Sequence, residues 1–184
     1  MKLAVSSLSI PDVKIIKFKR FYDARGNFAE TFSRQDFSAA GFDFVAAQDN
    51  ESHSESPGTI RGLHFQRPPF AQAKLVRVLQ GRIFDVVVDL RPWSPTNGWL
   101  VAVQLSAADD EQLFVPAGFA HGFCTLVPDT IVQYKVDQPY VPSHEDGINW
   151  ADSDLAIQWP VDERDAILSD KDRKLPMLNE VLAV

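Results

Sequence analysis

The run Arg61-Gly62-Leu63-His64-Phe65-Gln66-Arg67-Pro68-Pro69-Phe70-Ala71-Gln72-Ala73-Lys74-Leu75 sets a histidine, two arginines, a lysine and two glutamines between apolar stretches of strand character. A strand that only packs a core rarely carries such residues together, because buried polar and charged groups are costly unless paired. The cluster reads as a pocket built on a sheet. His64 is a candidate acid–base group, since an unperturbed imidazole titrates near pH 6.5; a structural core histidine is the competing reading. Lys74 can stabilise an anion or lie half-exposed on the surface. Tyr134 can be a proton donor or a packed strand residue.

Other chemistries find less support. The four histidines, His53, His64, His121 and His144, include no close pair of metal-binding spacing, although His64, His121 and a carboxylate could still meet from distant strands. No nucleophile elbow, P-loop or Gly-rich dinucleotide fingerprint is present. The lone Cys124 sits in an apolar run, excludes an intrachain disulfide and reads as a small core residue. A net charge of −7 argues against non-specific binding to nucleic acid or anionic membrane. It leaves room for an anionic small ligand held by a few arginines in one cleft. The N-terminal apolar run is too short and too broken by serines for a signal peptide, and no window reaches the length of a membrane span. A cytoplasmic protein is expected.

The elements that must position these residues are mostly strands. Leu75–Leu79 and Arg82–Leu90 flank Gln80-Gly81 and read as a hairpin. Period-two alternation puts Lys74 on the face of Val76 and Val78, and Asp85 on the face of Ile83 and Val87, so a base and an acid can approach one cavity. Val13–Lys19 and Asn27–Phe32 read as a hairpin with Arg25 at its tip, where Arg25 is either solvated or a phosphate contact. Ser33–Ala40 predicts a helix, with Ser33 as N-cap, Asp36 in the first turn and Gly41 as its end. Phe44–Ser52 begins as a strand; Gln48 and Asn50 share a face that meets a ligand or lines a loop. His53 falls in a polar loop and is expected to be exposed. Strands are also expected over Trp99–Leu105 and Gln112–Val115. His121–Leu126 and Ile131–Val136 pair across Val127–Thr130, and Asp162–Leu168 reads as a short helix. Many short strands with turn signals and few helices indicate an all-β barrel or sandwich. At 184 residues with 45% hydrophobic content, one domain spanning 1–184 is expected.

Several motifs together resemble one family. Arg61-Gly62-Leu63-His64-Phe65-Gln66, Pro68-Pro69, Gln72-Ala73-Lys74, Asp85–Arg91, Ser94-Pro95-Thr96, Val115–Phe123, Tyr134-Lys135, Tyr140 with Pro142, Glu145 with Gly147-Ile148, and Leu168–Asp172 follow the order of the dTDP-4-dehydrorhamnose 3,5-epimerases. The resemblance implies a cupin-type jelly roll with a few short helices at the termini, no metal and no cofactor. It also implies a homodimer with strand exchange and a subunit-shared site. By position, it implies that His64 is the catalytic base, Asp172 its carboxylate partner, Lys74 the group near the ketone oxygen and Tyr134 the opposing proton donor. Arg61, His121 and Asp85 correspond to polar residues around the sugar. Gln48, Asn50, Glu145 and Lys171 correspond to substrate contacts, and Tyr140 to a stacking aromatic. Arg25, Phe28 and Glu30 correspond to a nucleotide-side cluster that a partner subunit can supply.

The implied reaction inverts C3 and C5 of dTDP-4-dehydro-6-deoxy-D-glucose, on the route to dTDP-L-rhamnose and surface polysaccharide. The alternatives are a 3- or 5-monoepimerase or ketoisomerase of another deoxysugar, and a catalytically silent sugar-binding cupin. The chain departs from the family pattern at Asn97 and Trp99, in a turn that touches no implied catalytic position.

Overall fold

The computed structural model describes residues 3–182. Strands β1 (Ala4–Ser7), β2 (Lys14–Lys17), β3 (Arg20–Asp23) and β4 (Gly26–Ala29) precede helix α1 (Arg34–Ala39). Then come β5 (Gln48–Ser54), β6 (Ile60–Gln66), β7 (Lys74–Gln80), β8 (Arg82–Asp89), β9 (Leu100–Ser106), β10 (Glu111–Val115), β11 (Phe119–Thr125) and β12 (Thr130–Val136). A short β13 (Glu145–Gly147) and helix α2 (Leu178–Leu182) follow, with 3₁₀ turns at Pro142–His144, Glu163–Asp165 and Asp172–Lys174. Among the described residues no helix is long and apolar enough to cross a membrane.

Two sheets carry the fold, a jelly roll of the cupin type. One has six strands in the order β1-β2-β10-β7-β12-β5, the other five in the order β13-β6-β11-β8-β9, and every pairing is antiparallel. The space between them is filled by Ile15, Val76, Val78, Leu113, Val115 and Val132 from the first sheet and Ile83, Val87, Phe119 and Phe123 from the second. The next residues along β8, Val86 and Val88, point the other way, into a second cluster with Leu63, Ile148, Leu178 and Val181. Every residue of β11 is therefore buried, because C-terminal segments cover its outer face. On the outer face of the six-stranded sheet, Phe37 of α1 packs with Ile16, Phe42, Phe44 and Leu75. Burying a side chain of that size contributes about 1.5–3 kcal/mol.

The strands are close to expectation, but their partners are not. The hairpin expected across Gln80-Gly81 does not form. β7 pairs with β10 and β12, whereas β8 pairs with β9 and β11. The chain turns a corner at Gly81 and passes from one sheet to the other. Gly81 has φ +84°, and a Cβ there would stand 2.4 Å from the Thr130 hydroxyl oxygen, so only glycine fits the bend. The physical reason is that both runs are apolar on both faces, and opposite sheets let their inner faces meet across the core.

The pairing expected between His121–Leu126 and Ile131–Val136 fails in the same way, with β11 in one sheet and β12 in the other. Near the N-terminus the hairpin is Arg20–Asp23 with Gly26–Ala29, not Val13–Lys19 with Asn27–Phe32. β2 is drawn away into the six-stranded sheet between β1 and β10. Arg25 nevertheless stands at the tip, where Asp23 accepts its backbone N–H at 2.8 Å. His53 lies in β5 rather than in a loop, although it is exposed as expected. β5 begins at Gln48, four residues later than the expected strand. Helix α1 matches its signals, with Ser33 accepting from the Asp36 N–H. The helix expected over Asp162–Leu168 is a single 3₁₀ turn, Glu163–Asp165.

Candidate active site

Alternation along three strands aims the chemistry inward. Lys74 shares its face of β7 with Val76 and Val78, Asp85 shares its face of β8 with Ile83 and Val87, and His121 shares its face of β11 with Phe119 and Phe123; all six apolar partners lie in the core between the sheets. His121 and His64 are direct cross-strand partners of β11 and β6. Close approach of these strands depends on Gly62, at φ +119°, where a Cβ would lie 2.6 Å from the Gly122 Cα.

Two cavities adjoin at this point. One, of about 470 Å³, is lined by Ser52, Thr59, Ile60, Arg61, His64, Lys74, His121, Phe123, Tyr134, Lys171 and Asp172, among others. The other, of about 290 Å³, is lined by Gln48, Asn50, Phe65, Gln66, Gln72, Tyr140 and Glu145 together with His64, Lys74 and Tyr134. His64, Lys74 and Tyr134 thus face both lobes.

His64 Nε2 is 2.8 Å from Asp172 Oδ1, and the imidazole is 30% exposed while the carboxylate is almost wholly covered. Asp172 Oδ2 accepts a long 3.4 Å bond from the Gly62 N–H. Burial alone would raise the Asp172 carboxyl. The hydrogen bond and charge of His64, with the Gly62 N–H, outweigh burial and hold it below the ordinary carboxylate range. Against an ionised carboxylate, this geometry favours the tautomer with the proton on Nε2, which leaves Nδ1 as an acceptor.

Lys74 is 7% exposed and its Nζ donates to the His64 carbonyl at 3.1 Å. Burial pulls its pKa down to about 8, against the opposing pull of Asp85 and Glu145. An ammonium so poorly solvated is well placed to stabilise negative charge that develops beside it. Tyr134, half-buried, is pushed up by burial, with Arg61 pulling the other way, so its phenol holds its proton at neutral pH. Arg61 itself is fixed by bonds to Ser54 Oγ at 3.2 Å and the His53 carbonyl at 2.9 Å.

A second histidine–carboxylate pair lies deeper. His121 Nε2 is 2.9 Å from Asp85 Oδ2, and the other oxygen, Oδ1, is buried without a hydrogen-bond partner. Burial drives the Asp85 carboxyl upward, only partly offset by His121 and Lys74.

At the smaller lobe, the Tyr140 hydroxyl donates to Glu145 at 2.5 Å and Lys171 pairs with the same carboxylate at 2.5 Å. Gln48 spans two partners: its amide donates to Asn50 Oδ1 at 2.7 Å, and its Oε1 accepts the Tyr140 N–H at 3.0 Å.

Twelve of the fifteen residues singled out from sequence are thereby brought to the two lobes, as the lining residues show, with Asp85 reaching them through His121. Arg25, Phe28 and Glu30 are not; they are exposed, on or just after the projecting β3–β4 hairpin, and line neither cavity. Ser52, Phe123 and Ser169 line the larger cavity without having been singled out. Phe123 was findable, two residues beyond His121 on the same face; Ser52 and Ser169 carry no local signal. Among the described residues no group of three or more His, Cys, Asp or Glu side chains could hold a metal ion.

Comparison with known proteins gives a consistent result. Residues 7–180 match the family model described as dTDP-4-dehydrorhamnose 3,5-epimerase. The chain is 49% identical over 175 residues to the enzyme of that name from Sinorhizobium fredii, covering 95% of this chain and 89% of the relative. It is 50% identical, with a TM-score of 0.92, to the Bacillus anthracis dTDP-4-dehydrorhamnose 3,5-epimerase solved with TDP and PPi bound, covering 96% of this chain and 99% of that one. The dTDP-6-deoxy-D-glucose-3,5-epimerase of Legionella pneumophila, solved in complex with dTDP-4-keto-L-rhamnose, is 40% identical with a TM-score of 0.92, covering 98% of this chain and 95% of that one.

Proposed function

The chain belongs to the dTDP-4-dehydrorhamnose 3,5-epimerase family, and from that premise we propose which of its residues carry the reaction. It is a carbohydrate epimerase of the isomerase class that inverts C3 and C5 of dTDP-4-dehydro-6-deoxy-D-glucose. The C4 ketone acidifies the protons on both neighbouring carbons. His64 removes such a proton through Nδ1, while Asp172 holds the tautomer and stabilises the imidazolium. The electron pair moves onto the C4 oxygen, and Lys74 stabilises the enolate that forms. Tyr134 returns a proton to the opposite ring face, which inverts the centre. His64 then gives its proton to solvent and Tyr134 regains one, and a second round at the other carbon completes the reaction.

The observation that carries this assignment is that His64, Lys74 and Tyr134 face both cavity lobes, so a sugar nucleotide spanning them passes all three. Arg61, His121 and Asp85 surround the sugar. Gln48, Asn50, Tyr140, Glu145 and Lys171 receive the remainder of the substrate.

The proposal extends to assembly. Residues 1–184 form one epimerase domain that works in the cytoplasm as a homodimer. Arg25, Phe28 and Glu30 of one subunit reach the site of the other. Phe21, Tyr22 and Phe28, which are 51%, 74% and 69% exposed on the β3–β4 hairpin, support such a contact.

Proton NMR of the 4-dehydro-6-deoxy sugar nucleotide in D2O with the enzyme tests the reaction. Loss of both the C3 and C5 signals is expected. Exchange at one carbon only would indicate a monoepimerase, and binding without exchange a silent sugar-binding protein.

A further inference from the structure

We propose that Gln66 is a positioning residue for Tyr140 and sets substrate affinity through it. Gln66 is 4% exposed, and all three polar bonds of its amide go to backbone. Its Nε2 donates to the Phe70 carbonyl at 2.7 Å and to the Pro139 carbonyl at 3.2 Å, and its Oε1 accepts the Val141 N–H at 2.7 Å. Pro139 and Val141 are the residues on either side of Tyr140. One amide therefore grips the chain immediately before and immediately after the aromatic that faces the smaller lobe.

The grip needs a donor and an acceptor on the same short planar group, which a carboxylate or a thioether does not provide. It is reinforced by geometry. Glu145, which accepts the Tyr140 hydroxyl, is the cross-strand partner of Gln66 in the β13–β6 pair. Tyr140 is thus fixed at its backbone by Gln66 and at its hydroxyl by the residue opposite Gln66. Gln66 also lies two residues beyond His64 on β6, so it shares the face of the base. The strand that places the base at the sugar also places the aromatic at the far end of the substrate. Tyr140 is 48% exposed, and without the clamp only its bonds to Gln48 and Glu145 hold it, so loss of Gln66 loosens its placement at the lobe.

The proposal rests on the substrate-binding role assigned to Tyr140, and the test separates the two. Initial rates are measured with dTDP-4-dehydro-6-deoxy-D-glucose for Gln66→Met, Tyr140→Ala and the double variant. Gln66→Met is expected to raise KM about tenfold, the equivalent of one ordinary binding contact, and to change kcat less than about twofold. In the Tyr140→Ala background it is expected to add nothing, because two residues acting through one group are not additive. A KM unchanged by Gln66→Met, a loss confined to kcat, or full additivity with Tyr140→Ala would overturn the proposal. If Tyr140→Ala itself leaves KM unchanged, the role of Tyr140 falls and the proposal falls with it. Gln66→Glu, which keeps an acceptor for the Val141 N–H and loses the donors, supplies the same comparison if the methionine variant does not fold.

Discussion

The site holds two histidine–carboxylate pairs on neighbouring strands, similar in distance and opposite in setting. His64 and Asp172 are 2.8 Å apart with the imidazole 30% exposed, while His121 and Asp85 are 2.9 Å apart with exposures of 6% and 0%. The outer carboxylate is doubly hydrogen-bonded and held below its ordinary range; the inner one is pushed above it, with one oxygen unpartnered. Access to the cavity and full satisfaction of the carboxylate favour the outer pair for the proposed role of base, while the inner carboxylate acts on Lys74 through its charge.

The largest effect expected from breaking this contrast is at the outer histidine. His64→Ala should lower kcat by about 10²–10⁴-fold with KM largely kept, and steady-state rates with the purified variant check it. Near-wild-type turnover would move the base elsewhere. Lys74→Met should lower kcat by about 10²-fold, the size of one lost oxyanion-stabilising group. In the wild type, Lys74 with a pKa of about 8 loses its proton above that pH, so kcat should decline on the alkaline side; the methionine variant should lack that limb. An unchanged alkaline limb in Lys74→Met would assign it to another group.

The smallest effects concern stability, and there the two carboxylates should differ in sign. The folded-state pKa of Asp172 is depressed, so its contribution is present above its unfolded value and is lost as pH falls through the folded one. Asp172→Asn should blunt the acid loss of stability in thermal melts. The folded-state pKa of Asp85 is raised, so the folded protein bears a penalty above that pKa, relieved as pH falls through it. Asp85→Asn should be at least as stable as wild type at pH 7, with an advantage that shrinks toward the ordinary carboxylate range. Parallel pH shifts in the two variants would remove the distinction between the pairs.

Much of the site was readable from alternation. The period of two put Lys74 and Asp85 inward without knowledge of which strands pair, because burial of one face follows from the pattern alone. Partner choice was not readable. A glycine between two apolar runs serves equally for a hairpin and for a corner between sheets, and the Gly81 bend is the second kind. Asp172 had no local signal either, since it is one acid in a charged tail; only resemblance to a family linked it to His64. The polar stretch from Arg61 to Lys74 flagged Gln66, but its clamp on Pro139 and Val141 depends on a loop more than seventy residues away in the chain.

The corner at Gly81 also bears on how fast the molecule can form. With β7 and β8 sent to different sheets, β7 must wait for β10 and β12 before it gains a ladder, whereas β8 can pair with the next strand, β9. The outer pair itself joins residues 108 apart. Closing such long loops before any contact rewards them makes for slow folding, in the millisecond-to-second range typical of all-β topologies. Half-made sheets with open edges persist for that time, so refolding yield should depend on protein concentration.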